Sequence, residues 1–182
     1  MKSIPIALLA LAWASAALAG ETRTDHVNAT TPQQDAKPNS SDVPDVYAIP
    51  TKFERVVILR FKYQADLLAG LERMVKEQKI KNAVILAAAG SVRSYQYHMV
   101  SNRTFPSHDL FVENPEGCAD IVRMNGYVMN GRIHPHITLA DEKHAFGGHL
   151  EPRTTVFTFA IVTLGVLGDD VDLTHLDDKT YR

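Results

Sequence analysis

The apolar residues of the chain follow two different periods, which together predict one helix among several strands. A β-branched apolar run over residues 56–61 predicts a strand. Apolar residues then recur at helical spacing from Leu67 to Val75, with charged residues on the opposite face. This spacing predicts a helix that ends near Gln78, and Asp66 is a candidate N-cap at its start.

The rest of the folded region has strand patterns. A buried strand over residues 82–91 is predicted to end in a turn at Gly90 and Ser91. Further strands are predicted over residues 95–99, 119–129 (with a kink near Gly126), 133–140, 145–150 and 155–167, the last as a central strand. One main helix followed by mostly hairpin-linked strands predicts an α+β fold with a mostly antiparallel β-sheet.

The first 19 residues have the pattern of an export signal. Lys2 supplies a positive charge, residues 4–19 are uncharged and rich in Ala and Leu, and small residues stand at Ala17 and Ala19. This pattern predicts a signal peptide cleaved after Ala19, and therefore an exported protein, periplasmic or secreted. The apolar run is short for a membrane span, which needs about 20 residues, so no span is expected after cleavage. An uncleaved anchor is the alternative.

Composition divides the remaining chain into three parts. Residues 20–50 are polar and have no period, which predicts a flexible leader. Residues 51–168 form the predicted domain, and the polar, acidic tail over 169–182 is expected to be loosely held. Three glycosylation sequons begin at Asn28, Asn39 and Asn102, and they have meaning only in a eukaryotic secretory pathway.

Charge and cysteine content narrow the function classes. The formal net charge is -2, from 19 basic and 21 acidic residues, so the chain lacks the electrostatic footprint of a nucleic-acid binder. The single cysteine, Cys118, cannot form an internal disulfide. We interpret it as a passive thiol, with a reactive thiol or a metal ligand as alternatives. The sequence contains no P-loop, dinucleotide fingerprint or Cys-x-x-Cys motif.

Three histidines in the C-terminal half of the chain are candidate metal ligands. His134 and His136 are two residues apart on a predicted strand, so their side chains share a face with anchor points about 6.6 Å apart. Two imidazoles at that spacing can reach one metal ion at about 2.0–2.1 Å each. A turn at Asp141 folds the chain back, so that His149 can come from the adjacent strand. Three imidazoles would form an open site, and such ligands suit zinc, copper, iron or nickel and favour zinc in the absence of redox signals.

Residues near the three histidines bear on whether these form a metal site. Gly147 and Gly148 predict a close approach of the backbone to a ligand or another chain. Pro135 lacks an amide donor and predicts an edge strand or a bulge. The alternative for the three histidines is a half-buried position with hydrogen bonds to the backbone. His144 is predicted to be a turn residue, with an extra ligand as the alternative, and the expected surface histidines are His98, His108 and His175.

Taken together, these segments resemble the PPC ("plants and prokaryotes conserved") domain over about residues 53–167. The landmarks are the strand through Arg60, the helix from Leu67 to Val75, the Ala-rich strand ending at Gly90-Ser91, Met124-Asn125-Gly126, His134-x-His136-Ile137-Thr138-Leu139-Ala140 and Gly147-Gly148-His149-Leu150. The resemblance implies a homotrimer, and it implies that His134, His136 and His149 hold a metal, usually zinc. Pro135, His144 and the signal peptide depart from the family pattern.

Three functions follow as expectations. The first is an exported, stand-alone, trimeric zinc-binding module that captures a small ligand or a partner. The second is a zinc-dependent hydrolase, whose base would come from Glu113, Glu116, Asp141 or Glu142. The third is a structural protein whose histidines serve trimer packing. DNA regulation, as in plant members, is disfavoured because the chain is acidic, carries a signal peptide and has no Arg-Gly-Arg-Pro AT-hook.

Overall fold

The computed structural model describes residues 20–28 and 41–177. Within these ranges lie one helix, α1 (Leu67–Glu77), and eight strands: β1 (Thr22–Val27), β2 (Phe53–Phe61), β3 (Ala83–Val100), β4 (His108–Asn114), β5 (Ala119–Met129), β6 (Arg132–Ala140), β7 (Ala145–Leu150) and β8 (Thr155–Leu167). The predicted signal peptide and the sequon at Asn39 lie outside the described residues.

The strands form one antiparallel sheet in the order β1-β4-β3-β5-β6-β7, and β7 returns to pair with β3. The remaining strands extend this arrangement, with β8 lying between β2 and β3. The first half of β3 pairs with β5 and β8, whereas its second half pairs with β4 and β7. The circuit β3-β5-β6-β7 is therefore closed. The predicted α+β class, with a mostly antiparallel sheet and one main helix, is confirmed.

Helix α1 packs on this sheet with its apolar face. Leu67, Leu71 and Val75 are buried at helical spacing. The Asp66 side chain caps the helix by accepting the backbone N–H of Ala69 at 2.9 Å, an interaction worth about 1 kcal/mol. The described residues include no helix that is both long enough and apolar enough to cross a membrane.

Strand β3 differs from the prediction, because it continues through the expected turn at Gly90 and Ser91. Gly90 has a φ of 141°, and a Cβ atom there would collide with the carbonyl oxygen of Phe159 on β8. The pairing between β3 and β8 shifts register at this point. The glycine therefore makes a β-bulge inside one 18-residue strand instead of ending it.

The segments on either side of the domain are also more ordered than predicted. Strand β1 lies within the predicted flexible leader, where it pairs with β4. In the predicted loose tail, Leu173 is 4% exposed and packs beside Met129 and Leu167. The Asn82 side chain also donates a hydrogen bond of 2.8 Å to the carbonyl of Val171. The tail is therefore anchored to the domain over the part that the structure describes.

Pro135 occupies a position in β6 where the backbone N–H that proline lacks is not needed for pairing with a second strand. It pairs with Gly126 of β5, but β7 pairs with β6 only over residues 136–140. Strand β6 thus has a single neighbour at Pro135, which agrees with the local edge that the proline predicts.

Candidate metal centre

Four histidines lie side by side on three neighbouring strands. His149 of β7 stands directly opposite His136 of β6 on one side and His98 of β3 on the other. His134 lies two residues from His136 on β6, and residues at that spacing share a face. The ring centroid of His149 is 4.6 Å from that of His134, 5.4 Å from that of His136 and 4.7 Å from that of His98. His149 is therefore the central member of the group, which we call the histidine cluster.

The three histidines predicted from the sequence are close together in the structure. The Nε2 atoms of His134 and His136 are 3.3 Å apart, and their rings are stacked with centroids 5.3 Å apart. Two ligand nitrogens thus meet at one point of the cleft, with the His149 ring beside them. The structure brings the rings of the three predicted residues together, but their ligand atoms do not all lie within 4.8 Å of one another.

The fourth histidine corrects a prediction. His98 was expected on the surface, but it lies in the cluster with a side chain 21% exposed. Its Nδ1 atom is 2.6 Å from Oε1 of Glu151. Among the described residues, His98, His149 and Glu151 form the one group of three whose ligand atoms all lie within 4.8 Å of one another, a geometry that could hold a metal ion.

Two further carboxylates surround the cluster. Asp109 of β4 has an oxygen 4.0 Å from Nε2 of His98, and it accepts a hydrogen bond of 2.7 Å from the side chain of Asn28. Asp177 of the tail lies 3.4 Å from Nδ1 of His134 and pairs with Arg132. These groups line an open cleft of about 500 Å³.

The electrostatics of the cleft keep its central imidazole neutral. Burial, followed by the neighbouring charges of His98, His134 and His136, lowers the pKa of His149 to about 4. Burial, followed by His134 and His98, also lowers the pKa of His136. Both rings are therefore unprotonated at neutral pH, which is the form that binds metals.

One nitrogen of the cluster has an unsatisfied position. The Nδ1 atom of His149 is buried and has no hydrogen-bond partner among the residues that the structure describes. An unpaired buried polar atom costs about 1–3 kcal/mol. Several imidazoles with carboxylates behind them form a donor set that divalent transition metals prefer. The residues present therefore fit a metal ion.

The two predicted glycines position His149. Gly147 has a φ of 150°, and a Cβ atom there would collide with the carbonyl oxygen of Ile137 on β6. A Cβ atom on Gly148 would collide with the carbonyl oxygen of His98 on β3. The predicted close approach thus occurs against the two flanking strands. It allows β7 to lie between them and places His149 between His136 and His98.

The other predicted candidates lie away from the cluster. Glu116, Asp141 and Glu142 line a separate cleft of about 800 Å³, together with Cys118. Two more candidates are paired elsewhere: Glu113 with Arg153 at 3.0 Å, and His144 with Asp141 at 3.7 Å. The structure therefore brings none of the carboxylates considered as a hydrolytic base into the histidine cleft.

Sequence reasoning missed the residues His98, Asp109, Glu151 and Asp177. Glu151 had a detectable signal, because it stands two residues after His149, at the spacing used for His134 and His136. The other three come from β3, β4 and the tail, and only the pairing of distant strands and the packing of the tail bring them here.

Comparisons with known proteins agree with this architecture. The model of the Plants and Prokaryotes Conserved (PCC) domain matches residues 49–168. A bifunctional protein GlmU from Synechococcus sp. (strain JA-3-3Ab) is 26% identical over 129 residues, which are 70% of this chain and 20% of that protein. The chain therefore spans about a fifth of the length of this relative.

Two solved structures share the fold. A metal-containing protein from Archaeoglobus fulgidus aligns with a TM-score of 0.58 and 20% identity, covering 74% of this chain and 95% of that one. A plant- and prokaryote-conserved (PPC) protein from Pyrococcus horikoshii aligns with a TM-score of 0.55 and 18% identity, covering 70% and 89%. At these identities the similarity establishes the fold alone.

Proposed function

The chain belongs to the Plants and Prokaryotes Conserved (PCC) domain family, and from that premise we propose that it is an exported, homotrimeric protein whose histidine cluster binds zinc. The observation that carries this proposal is the central, neutral imidazole of His149, which lies beside three other imidazoles and has a buried nitrogen without a hydrogen-bond partner in the described part of the chain. The description of the archaeal neighbour as a metal-containing protein supports it.

His134, His136 and His149 are the ligands of the proposed zinc position. Asp177 lies behind Nδ1 of His134 and would fix the orientation of that ring, as outer carboxylates do around metal-bound histidines. A bound zinc ion with three protein ligands supplies an open position that attracts an electron-rich atom of a small molecule. The cleft of about 500 Å³ would admit such a ligand.

The proposed trimer would cover an apolar surface of the sheet. Large apolar side chains are exposed on β2, β3, β5 and β8: Val56, Ile58, Leu86, Val122, Phe157, Phe159 and Ile161. Ile58, for example, is 70% exposed. An extended apolar patch of this kind is typical of a surface that contacts another protein, and a second copy of the chain is the proposed occupant.

Export is proposed from the N-terminal sequence alone. The prediction is a mature chain that begins at Gly20, because signal peptidase would cut after Ala19. Intact mass of the protein recovered from a secreting host measures this directly. A protein that retains residues 1–19 would contradict cleavage.

Zinc titration of the metal-free protein tests the proposed function. The wild type should bind at least one zinc ion per chain, and His149→Gln should abolish binding because it removes the ligand at the centre of the cluster. His108→Gln is the matched control, since His108 pairs with Asp25 at 2.8 Å, outside the cluster. A wild type that binds no zinc, or a His149→Gln variant that binds it equally well, would contradict the proposal.

A further inference from the structure

We propose that the histidine cluster has a second metal position, formed by His98, His149 and the adjoining Glu151, on the side of His149 that faces away from His136. This inference rests on the proposed function, because both positions share His149; for both to be filled at once, His149 would release its N–H proton to solvent and bind one ion through each ring nitrogen. The second position takes a divalent transition-metal ion on two imidazoles and one carboxylate. It combines His149 with His98 of a third strand, β3, and with Glu151, which directly follows β7.

The sheet register separates the two positions. His149 is directly opposite His136 on β6 and directly opposite His98 on β3, so its ring has one imidazole partner on either side. The ligand atoms of His98, His149 and Glu151 all lie within 4.8 Å of one another. Little rearrangement is therefore needed for these three groups to meet at one ion.

The burial of this group favours a ligand function. His98 and Glu151 have side chains only 21% and 20% exposed, and they meet at 2.6 Å. The ring of His98 is also held against Phe111, with centroids 4.9 Å apart. Side chains held in place in this way lose little conformational freedom when an ion binds, which is the preorganisation that a metal site needs.

The charge and donor type of the second position differ from those of the first. Glu151 is a direct member of the group, and Asp109 adds a second carboxylate 4.0 Å from Nε2 of His98. The second position therefore has carboxylates beside its imidazoles, whereas the first position has imidazole ligands alone. Two histidines with one carboxylate are a donor set that divalent iron uses, while three imidazoles are typical of zinc.

The test removes the ligands that belong only to the first position. Zn²⁺ and Co²⁺ binding are measured on the metal-free full chain for the wild type, for His134→Ala/His136→Ala, and for the same double variant with His98→Ala or Glu151→Ala added. The control double variant is His108→Ala/His144→Ala, whose histidines pair with Asp25 and Asp141 away from the cluster. Circular dichroism and thermal unfolding establish that each variant folds. If His134→Ala/His136→Ala does not fold, His134→Gln/His136→Gln takes its place as the background for the added substitutions.

The double variant is expected to keep one ion per chain. Adding His98→Ala or Glu151→Ala should weaken that binding by more than about tenfold. Mutating a residue that only hydrogen-bonds to a metal ligand typically lowers metal affinity by about 10- to 100-fold, and loss of a ligand itself should cost no less. A wild type that binds an ion, together with a double variant that binds none, would overturn the second position and leave the proposed function intact. Undiminished binding after His98→Ala and Glu151→Ala would also overturn it. A wild type that binds no ion would overturn the proposed function itself.

Discussion

His149 determines the chemistry of the cleft because three other imidazoles surround it. Each of them lies within 5.4 Å of its ring centroid, and all of them disfavour a positive charge on it. Its buried Nδ1 atom has no hydrogen-bond partner within residues 20–28 and 41–177. An imidazole that cannot easily be protonated and lacks a hydrogen bond can gain a metal bond without first losing a proton.

The lowered pKa of His149 predicts that the metal-free protein loses stability in mild acid. Its folded pKa of about 4 lies below the ordinary value of 6.5, so between these pH values the unfolded chain binds a proton that the folded chain does not. The free energy of unfolding therefore falls as pH drops from about 6.5 towards 4. Urea unfolding across this window measures the slope, which His149→Gln should reduce. An unchanged slope in His149→Gln would show that His149 does not cause it.

Asp177 is predicted to tune the first metal position through His134. Its carboxylate lies 3.4 Å from Nδ1 of that ring, so Asp177→Asn should weaken zinc binding by about 10- to 100-fold. Competition with a chelator of known affinity measures this change. Asp172→Asn is the matched control on the same tail, because Asp172 accepts hydrogen bonds from Thr174 instead. Equal affinities in the two variants would contradict an orienting role for Asp177.

Strand β7 is the element on which the cluster depends. It is only six residues long, yet it pairs with β6 on one side and β3 on the other. Gly147 and Gly148 allow this, because each would collide with a neighbouring carbonyl if it had a Cβ atom. The two glycines of the motif Gly147-Gly148-His149 therefore allow close packing of three strands, and this packing places the imidazole of His149 between those of His136 and His98.

Replacing Gly148 should destabilise the fold and separate His149 from His98. A Cβ atom at Gly148 meets the backbone of His98, which cannot move as a flexible side chain can, so Gly148→Ala should cost about 1–3 kcal/mol of unfolding free energy. Urea unfolding measures the loss. Gly20→Ala is the control, because none of the described residues lies within 4 Å of a Cβ atom there. Similar stability in the two variants would contradict the packing role.

At the scale of elements, the sequence predicted the helix and the strands whose residues follow an amphipathic or continuously apolar pattern. Helix α1 and strands β5, β7 and β8 fall where periodicity placed them. Strand β1 could not be predicted, because all six of its residues are exposed and only its backbone pairing with β4 makes it a strand. Likewise, the position of His98 depends on the pairing of β3 with β7, which periodicity along one strand does not encode.

At the scale of the whole molecule, the exposed apolar face predicts self-association. Ile161→Lys places a charge on this face, next to β2 and β3, and should shift the mass in solution from a trimer to a monomer. Light scattering coupled to size exclusion measures this mass. Glu72→Lys on the exposed side of α1 is the control and should leave the assembly unchanged. A monomeric wild type would contradict the proposed trimer.

The metal content of the mature protein, purified without a histidine tag and measured by elemental analysis, tests the central claim most directly. We expect the wild type to contain at least one zinc or other divalent transition-metal ion per chain, which His149→Gln should lose and His108→Gln should retain. A folded wild type that contains no such ion, and takes up none when zinc is supplied, would contradict a metal centre at the histidine cluster.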